Sequence, residues 1–310
     1  MNSNYKSDLI ILKRIARESG LEEFWLGGSV VYNKIAKDMG VTFDYKDYDL
    51  AVKGGEKEYS SVKQKLKEHR FRIIKSHPYY LKFKKVFQII AEKKSIHLDI
   101  VVLDELYYWG HFNFEYIFWH FPSTDVYDPY NALDAIKQKN LIPIISPRNE
   151  NPFILTSRFV KLCARFNIDF INNKKLCSFA KSLARLIKEW NNKDPFHGKY
   201  AKEHAYFGML QAILRSKKRK LFIERLQKSG ILNAMFPEIS KKLKTSNSII
   251  KGIETAKSPE DVVRILRHLL KDDRKELQHF NKRLISISNR LQKISIVNKK
   301  GKSFKNIIKE

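Results

Sequence analysis

Glu23-Phe24-Trp25-Leu26-Gly27-Gly28-Ser29-Val30-Val31 is a short apolar run that breaks into two glycines and restarts on a serine. The residues before the glycines predict a strand. Ser29 can cap a helix over roughly Val30 to Met39, which Gly40 closes. A strand that turns through glycine into a helix gathers bare backbone N–H groups and the positive end of the helix dipole at one point. That arrangement suits a phosphate, with the Ser29 hydroxyl as a further donor. A Gly-Gly pair alone serves equally as a plain turn, so the sequence around it has to decide.

Downstream, Tyr45-Lys46-Asp47-Tyr48-Asp49-Leu50-Ala51-Val52 reads as a strand. Residues i and i+2 of a strand face the same side. Asp47 and Asp49 are therefore held close together, where like charges repel and a divalent cation relieves the repulsion. Hard carboxylate oxygens suit Mg²⁺. A solvated strand face is the alternative, but this pair runs directly into an apolar stretch. A third carboxylate, Asp99, lies within Ile96-His97-Leu98-Asp99-Ile100-Val101-Val102-Leu103. An ionisable group inside such an apolar strand is costly unless it is paired or metal-bound. His97 shares its face and reads as a packing or hydrogen-bonding residue.

Further strand signals fall at 71–76, 80–84 and 86–91, and residues 4–20 and 58–69 have helical periodicity. Together these elements make an α/β head with a small mixed or antiparallel sheet. After about residue 150 helical segments dominate: 152–166, 174–190, 199–214, 217–229, 259–271 and 274–294. The fold class is α+β, with a head over 1–147, an all-α region over 148–295 and a basic tail over 296–310.

Charge follows the same division. The chain carries +27 overall. Residues 1–150 hold 23 Lys and Arg against 20 Asp and Glu, a net of +3, whereas residues 151–310 hold 37 against 13, a net of +24. A lysine-rich proteome would make both halves basic. The asymmetry instead points to a polyanionic partner for the helical half, most often nucleic acid. Two cysteines, Cys163 and Cys177, form neither a disulfide framework nor a zinc spacing. With no secretory apolar segment and no apolar run near the roughly 18 residues that span a bilayer, a reducing, cytoplasmic setting without membrane contact is expected.

Gly-Gly-Ser, a helix, Asp-x-Asp and a later strand aspartate together resemble the signature of the polymerase-β nucleotidyltransferase superfamily. The closer resemblance is to bacterial tRNA CCA-adding enzymes and poly(A) polymerases. FWLGGSVV and KDYDLAV look like their head motif, and YDPYNALDAIKQKNLIPI from Tyr127 looks like the segment before their neck. NPFILTSRFVKLCARFNIDF from Asn151 looks like the neck helix, and FIERLQKSGILNAMFPEI from Phe222 looks like a body segment. The likeness spans roughly residues 20–240 in unchanged order.

The resemblance implies two Mg²⁺ ions (or Mn²⁺) held by Asp47, Asp49 and Asp99, with Gly27, Gly28 and Ser29 on the triphosphate. It implies transfer of a nucleoside monophosphate from ATP or CTP to an RNA 3′-hydroxyl, as in tRNA processing or polyadenylation. Two alternatives stand beside it: a small-molecule or protein acceptor, and a non-catalytic RNA-binding relative.

The sequence departs from the family in the parts that handle the base. Val30-Val31-Tyr32 stands where the family has Val-Arg-Asp. No Lys or Arg occurs between Lys94 and Lys137, so the basic motif after the third carboxylate has no counterpart. Glu150-Asn151-Pro152 and Ile154 stand in place of the neck residues that pair with the incoming base. Lys137, Lys139, Arg158, Lys161 and Arg165 are candidates to replace the lost triphosphate partners, and each can equally be a solvated charge. Tyr107-Tyr108-Trp109 offers either a stacking platform for a base or packing.

Overall fold

In the computed structural model the residues described are 5–21, 24–35, 47–81, 84–94, 96–121, 125–193, 198–256, 259–272, 274, 277–278 and 280–282. The chain divides into two compact units, Met1–Ile145 and Ser146–Glu310. The first runs α1 (Tyr5–Glu18), β1 (Phe24–Gly27), α2 (Gly28–Ile35), β2 (Tyr48–Lys53), α3 (Glu56–Glu68), β3 (Arg72–Leu81), β4 (Lys84–Lys93), β5 (Ile96–Leu103), β6 (Phe118–Phe121), β7 (Val126–Tyr127) and α4 (Ala132–Lys137). The strands form one sheet in the order β3-β4-β5-β2-β1-β6-β7. Among the described residues only β2 and β5 pair in parallel. The α+β class read from the sequence is the one observed, a mixed sheet followed by helices.

Alternation sorts each strand into two faces. Leu26, Leu50, Val52, Leu98, Ile100 and Val102 are buried on one of them. This face meets helices: the Tyr48 hydroxyl donates to Asp8 of α1 at 2.8 Å, and Tyr59 of α3 stacks on Phe87 of β4 at 4.9 Å. The opposite face carries Trp25, Ala51, Val86, Val101, Leu103 and Phe118 in one apolar cluster with Tyr116. The segment after β5 covers it, with Leu106 and Trp109 packed on the cluster. Burying side chains of this size stabilises by roughly 1.5–3 kcal/mol each.

Four expectations change. The strands read at 71–76 and 80–84 are one strand, β3, because Pro78 sits on the sheet edge, where a missing N–H costs no ladder bond. The aromatic strand β6 and the two-residue β7 join the sheet beyond those expected. Ser29 does not precede its helix: α2 begins at Gly28, so Ser29 lies in the first turn. A short helix, α4, stands where no element was expected; Asn131 takes a left-handed φ of 48°, and Asp128 accepts from the N–H groups of Ala132 and Leu133.

The second unit is helical among its described residues: α5 (Pro152–Arg165), α6 (Lys174–Lys193), α7 (Gly198–Arg215), α8 (Arg219–Lys228), α9 (Ile231–Met235), α10 (Pro237–Thr245), α11 (Asn247–Thr255) and α12 (Pro259–Leu269). Asn151 caps α5, its side chain accepting from the N–H of Phe153 at 3.0 Å, and Pro152 fills the first helical position. Gly208 of α7 lets that helix press onto α5, since a Cβ there would come within 2.1 Å of Ser157 Oγ. Phe159, Phe170 and Phe179 fill the centre. Arg225 reaches Asp169 at 2.8 Å. Most of the helix expected at 274–294, and all of the basic tail at 296–310, lie outside the described residues.

Candidate active site

Gly27, Asp49 and Asp99 form one row across three neighbouring strands. Gly27 is the register partner of Asp49 in the antiparallel β1–β2 pair, and Asp49 is the partner of Asp99 in the parallel β2–β5 pair. Neighbouring strands stand about 4.8 Å apart. The two carboxylates therefore leave the same face of the sheet side by side. Both residues are half-buried, so mutual repulsion is less screened than it would be in open water.

β1 ends at Gly27 and α2 begins at Gly28 with no residue between them. Gly28 has φ +68°, the left-handed region, and a Cβ there would lie 1.9 Å from Asp49 Oδ2. Both features disfavour a side chain at position 28. The backbone turn is pressed onto the carboxylate, and the N-terminus of α2 opens beside it. Gly27 is equally confined, with the Trp109 indole 2.9 Å from where its Cβ would be. Trp109 also meets Phe118 edge-on at 5.6 Å. Of the two readings of the 107–109 aromatics, Trp109 takes packing, and it packs on the glycine turn itself.

Gln88, on β4, donates from Nε2 to Asp99 Oδ1 at 2.7 Å. The sequence reading did not single it out. Its signal is a polar residue inside the apolar strand Val86–Ala91, and its meaning depends on the β4–β5 register. His97, on the same face as Asp99, has Nδ1 at 3.5 Å from a Glu92 carboxylate oxygen, within ion-pair reach but without a hydrogen bond.

Asp47 sits in the bend that enters β2, two residues before Asp49 and half-buried. Asp49 and Asp99 are a fitting pair of hard oxygen donors for one divalent cation. Among the described residues no group of three or more His, Cys, Asp or Glu is gathered in a metal-holding arrangement.

The proposed triphosphate partners are spread over both units. Lys137 is exposed on α4 and pairs with Asp134 at 3.0 Å. Lys139 is exposed, with a φ of 55°. Arg158, Lys161 and Arg165 follow one another on α5 at i, i+3 and i+7. That spacing is one helix face, opposite the buried Phe153, Phe159 and Val160. The place of the family's charged triplet is filled by Val30, Val31 and Tyr32, all buried, with the Tyr32 hydroxyl donating to the Phe114 carbonyl. Among the described residues no helix is long and apolar enough to cross a membrane.

No protein-family model matches the sequence, and no curated protein matches it. Among solved structures the chain is similar to a tRNA-processing enzyme in an apo form. The likeness covers 91% of this chain and 84% of that one, with a TM-score of 0.54 and 16% sequence identity. At that identity the shared property is the architecture: this chain has a fold similar to that of a tRNA-processing enzyme.

Proposed function

We propose that this chain is a metal-dependent nucleotidyltransferase that moves a nucleoside monophosphate from an NTP to an RNA 3′-hydroxyl. The observation that carries the reading is the Gly27–Asp49–Asp99 row, with the Gly28 turn closed onto the Asp49 carboxylate. A phosphate-binding turn and a carboxylate pair that share one strand end are what phosphoryl transfer uses: positioning and charge neutralisation more than covalent help from the protein. The 3′-oxygen forms a bond to the α-phosphorus, the bond to the bridging oxygen breaks, pyrophosphate leaves, and the hydroxyl proton passes to solvent.

Asp49 and Asp99 would hold the divalent ions, Mg²⁺ or Mn²⁺, with Asp47 as a further ligand. When bound, such ions acidify the attacking hydroxyl and offset the triphosphate charge. The backbone of Gly27 and Gly28, Ser29 and the N-terminus of α2 would cradle the triphosphate. Gln88 orients Asp99 through its hydrogen bond. The +24 charge of residues 151–310 supports a polyanionic acceptor, and the fold likeness to a tRNA-processing enzyme supports RNA as that acceptor. Arg158, Lys161 and Arg165, read from the sequence as triphosphate partners, share one face of α5 in the basic helical half and are assigned to the RNA phosphates. With Val30, Val31 and Tyr32 buried where charged residues would read or hold the nucleotide, discrimination among NTPs is expected to be weak, and ordered C-C-A addition is not proposed.

The test is incubation of the full chain with Mg²⁺, each labelled NTP, and tRNA or an unrelated RNA. Label in the RNA, lost in Asp49→Ala while RNA binding persists, is the expected result. No transfer to any RNA overturns the reading. Label in a small molecule or in protein would keep the chemistry and change the acceptor.

A further inference from the structure

Past the C-terminal ends of β2 and β5, within the first unit, lies a cavity of about 590 Å³. Three exposed phenol rings line it, Tyr107, Tyr127 and Tyr130, which are 40%, 45% and 36% exposed. Large aromatic rings left this open are unusual where the neighbouring sheet offers an apolar core to bury them. The strand-borne side is also aromatic: Trp25 and His120 lie with ring centres 5.7 Å apart. Beneath Tyr130, the Tyr116 ring packs edge-on at 4.6 Å and holds the outer ring in place.

The charge of the lining is the second observation. Asp104, Glu105 and Asp125 contribute carboxylates, and Lys53 contributes the one ammonium. Asp104 also holds Lys84 at 3.0 Å. Apart from Trp25 and Lys53 the whole wall comes from residues 104–130, inside the stretch between Lys94 and Lys137 that contains no Lys or Arg. In a chain of +27 this is the one long segment from which cations are missing, and it folds around a cavity. Electron-rich ring faces and carboxylates both attract positive charge. A nucleotide could stack on the rings, but its phosphate would face three carboxylates. A bare metal ion would make no use of the rings.

We propose that this cavity binds an organic ammonium or guanidinium cation, held by the faces of Tyr107, Tyr127 and Tyr130 and by the carboxylates at its rim. The chemistry is shared by free polyamines and by Lys or Arg side chains of a protein partner. The proposal does not rest on the nucleotidyl-transfer reading, because the cavity contains none of the residues assigned to that reaction.

Calorimetric titration of the full chain tests it, with spermine, a Lys/Arg-rich peptide and AMP as the probes. Binding of spermine or of the peptide, but not of AMP, is expected, and the stronger of the two identifies the source. Glu105→Gln changes an exposed side chain and should melt as the parent does; Tyr127→Ala also gives up a ring contact with Phe118, 6.5 Å between centres, so binding is compared at a temperature where both variants are folded. Each should bind the cation about tenfold more weakly, while Tyr127→Phe, which keeps the ring, should bind as the parent does. Absence of binding by both cations overturns the proposal. So does equal affinity in the Glu105→Gln and Tyr127→Ala variants, and so does preferential binding of AMP.

Discussion

Gly28 and Asp49 are in such close contact that a single added carbon on residue 28 would overlap the Asp49 carboxylate, at 1.9 Å from Oδ2. The turn and the acidic residue are one unit of structure. Gly28→Ala should cost about 1–2 kcal/mol from the left-handed backbone alone, and more from the overlap. The expected outcome is a melting temperature lower by several degrees and loss of nucleotidyl transfer. Combining it with Asp49→Gly should recover part of the melting temperature and none of the transfer. Calorimetry and a labelled-NTP assay on the single and double variants check this.

The Asp49–Asp99 register partnership sets two like charges side by side, which is unfavourable in a sheet without a cation between them. In EDTA, Asp99→Asn should melt at or above the temperature of the parent. With Mg²⁺ added the order should reverse, because only the parent gains the stabilisation that a bound ion confers. Transfer by the variant should fall by about 10²–10³-fold or more, the loss typical of removing one charge-stabilising group from a polar active site. A parent whose melting temperature is indifferent to Mg²⁺ and Mn²⁺ would argue against metal at this pair.

Gln88 is assigned a positioning role through its 2.7 Å bond to Asp99. Gln88→Leu should lower the rate of transfer about tenfold, on the scale of one lost hydrogen bond to a charged group, and raise the Mg²⁺ concentration for half-maximal rate. Gln88→Glu puts a third negative charge beside the pair and should be worse without metal than with it. A melting temperature that drops while the metal dependence stays fixed would reduce Gln88 to packing.

RNA binding should weaken linearly with the logarithm of salt concentration. Each phosphate contact on a single strand contributes about 0.7 to the slope. Replacing Arg158, Lys161 and Arg165 together by Gln should flatten the slope by about 2 and leave the fold intact, since all three share the outward face of α5. Fluorescence anisotropy over a salt series measures this.

In the second unit, Asp169 is pulled two ways. Burial pushes its carboxyl up, while the Asn172 N–H, Arg225 and the Ile171 N–H pull it down and prevail, so it sits below the ordinary carboxylate range. A group whose folded pKa is depressed stabilises fully above its unfolded pKa and loses that contribution as pH falls through its folded pKa. The melting temperature of Asp169→Asn should thus lie below that of the parent at neutral pH, and the gap should close below about pH 4.

The sequence made the carboxylates of the site legible because an ionisable residue inside or beside an apolar strand is costly unless paired or metal-bound. That Asp49 and Asp99 stand side by side came only with the β2–β5 register. Gln88 was not legible, because its contact depends on how far β4 slides along β5. The strand β6 escaped notice because Phe118-Trp119-His120-Phe121 is too uniformly aromatic to alternate. The helices α9, α10 and α11 are five to nine residues long and are interrupted by Pro237 and Ser246, too short for a 3.6-residue period to declare itself. Pro78 misled for the opposite reason: a breaker by type, it is harmless on an edge strand.

Among the described residues β2 and β5 are the one parallel pair in a sheet otherwise antiparallel, and parallel strands need a long crossover between them. Here that crossover is α3, β3 and β4, so Asp49 and Asp99 meet only across about fifty residues of intervening chain. Contacts of such separation carry a loop-closure cost and form slowly. The carboxylate pair is therefore expected to form late in folding. On refolding, helical signal should return first and Mg²⁺-dependent stabilisation last, which makes metal response a clock for completion of the first unit.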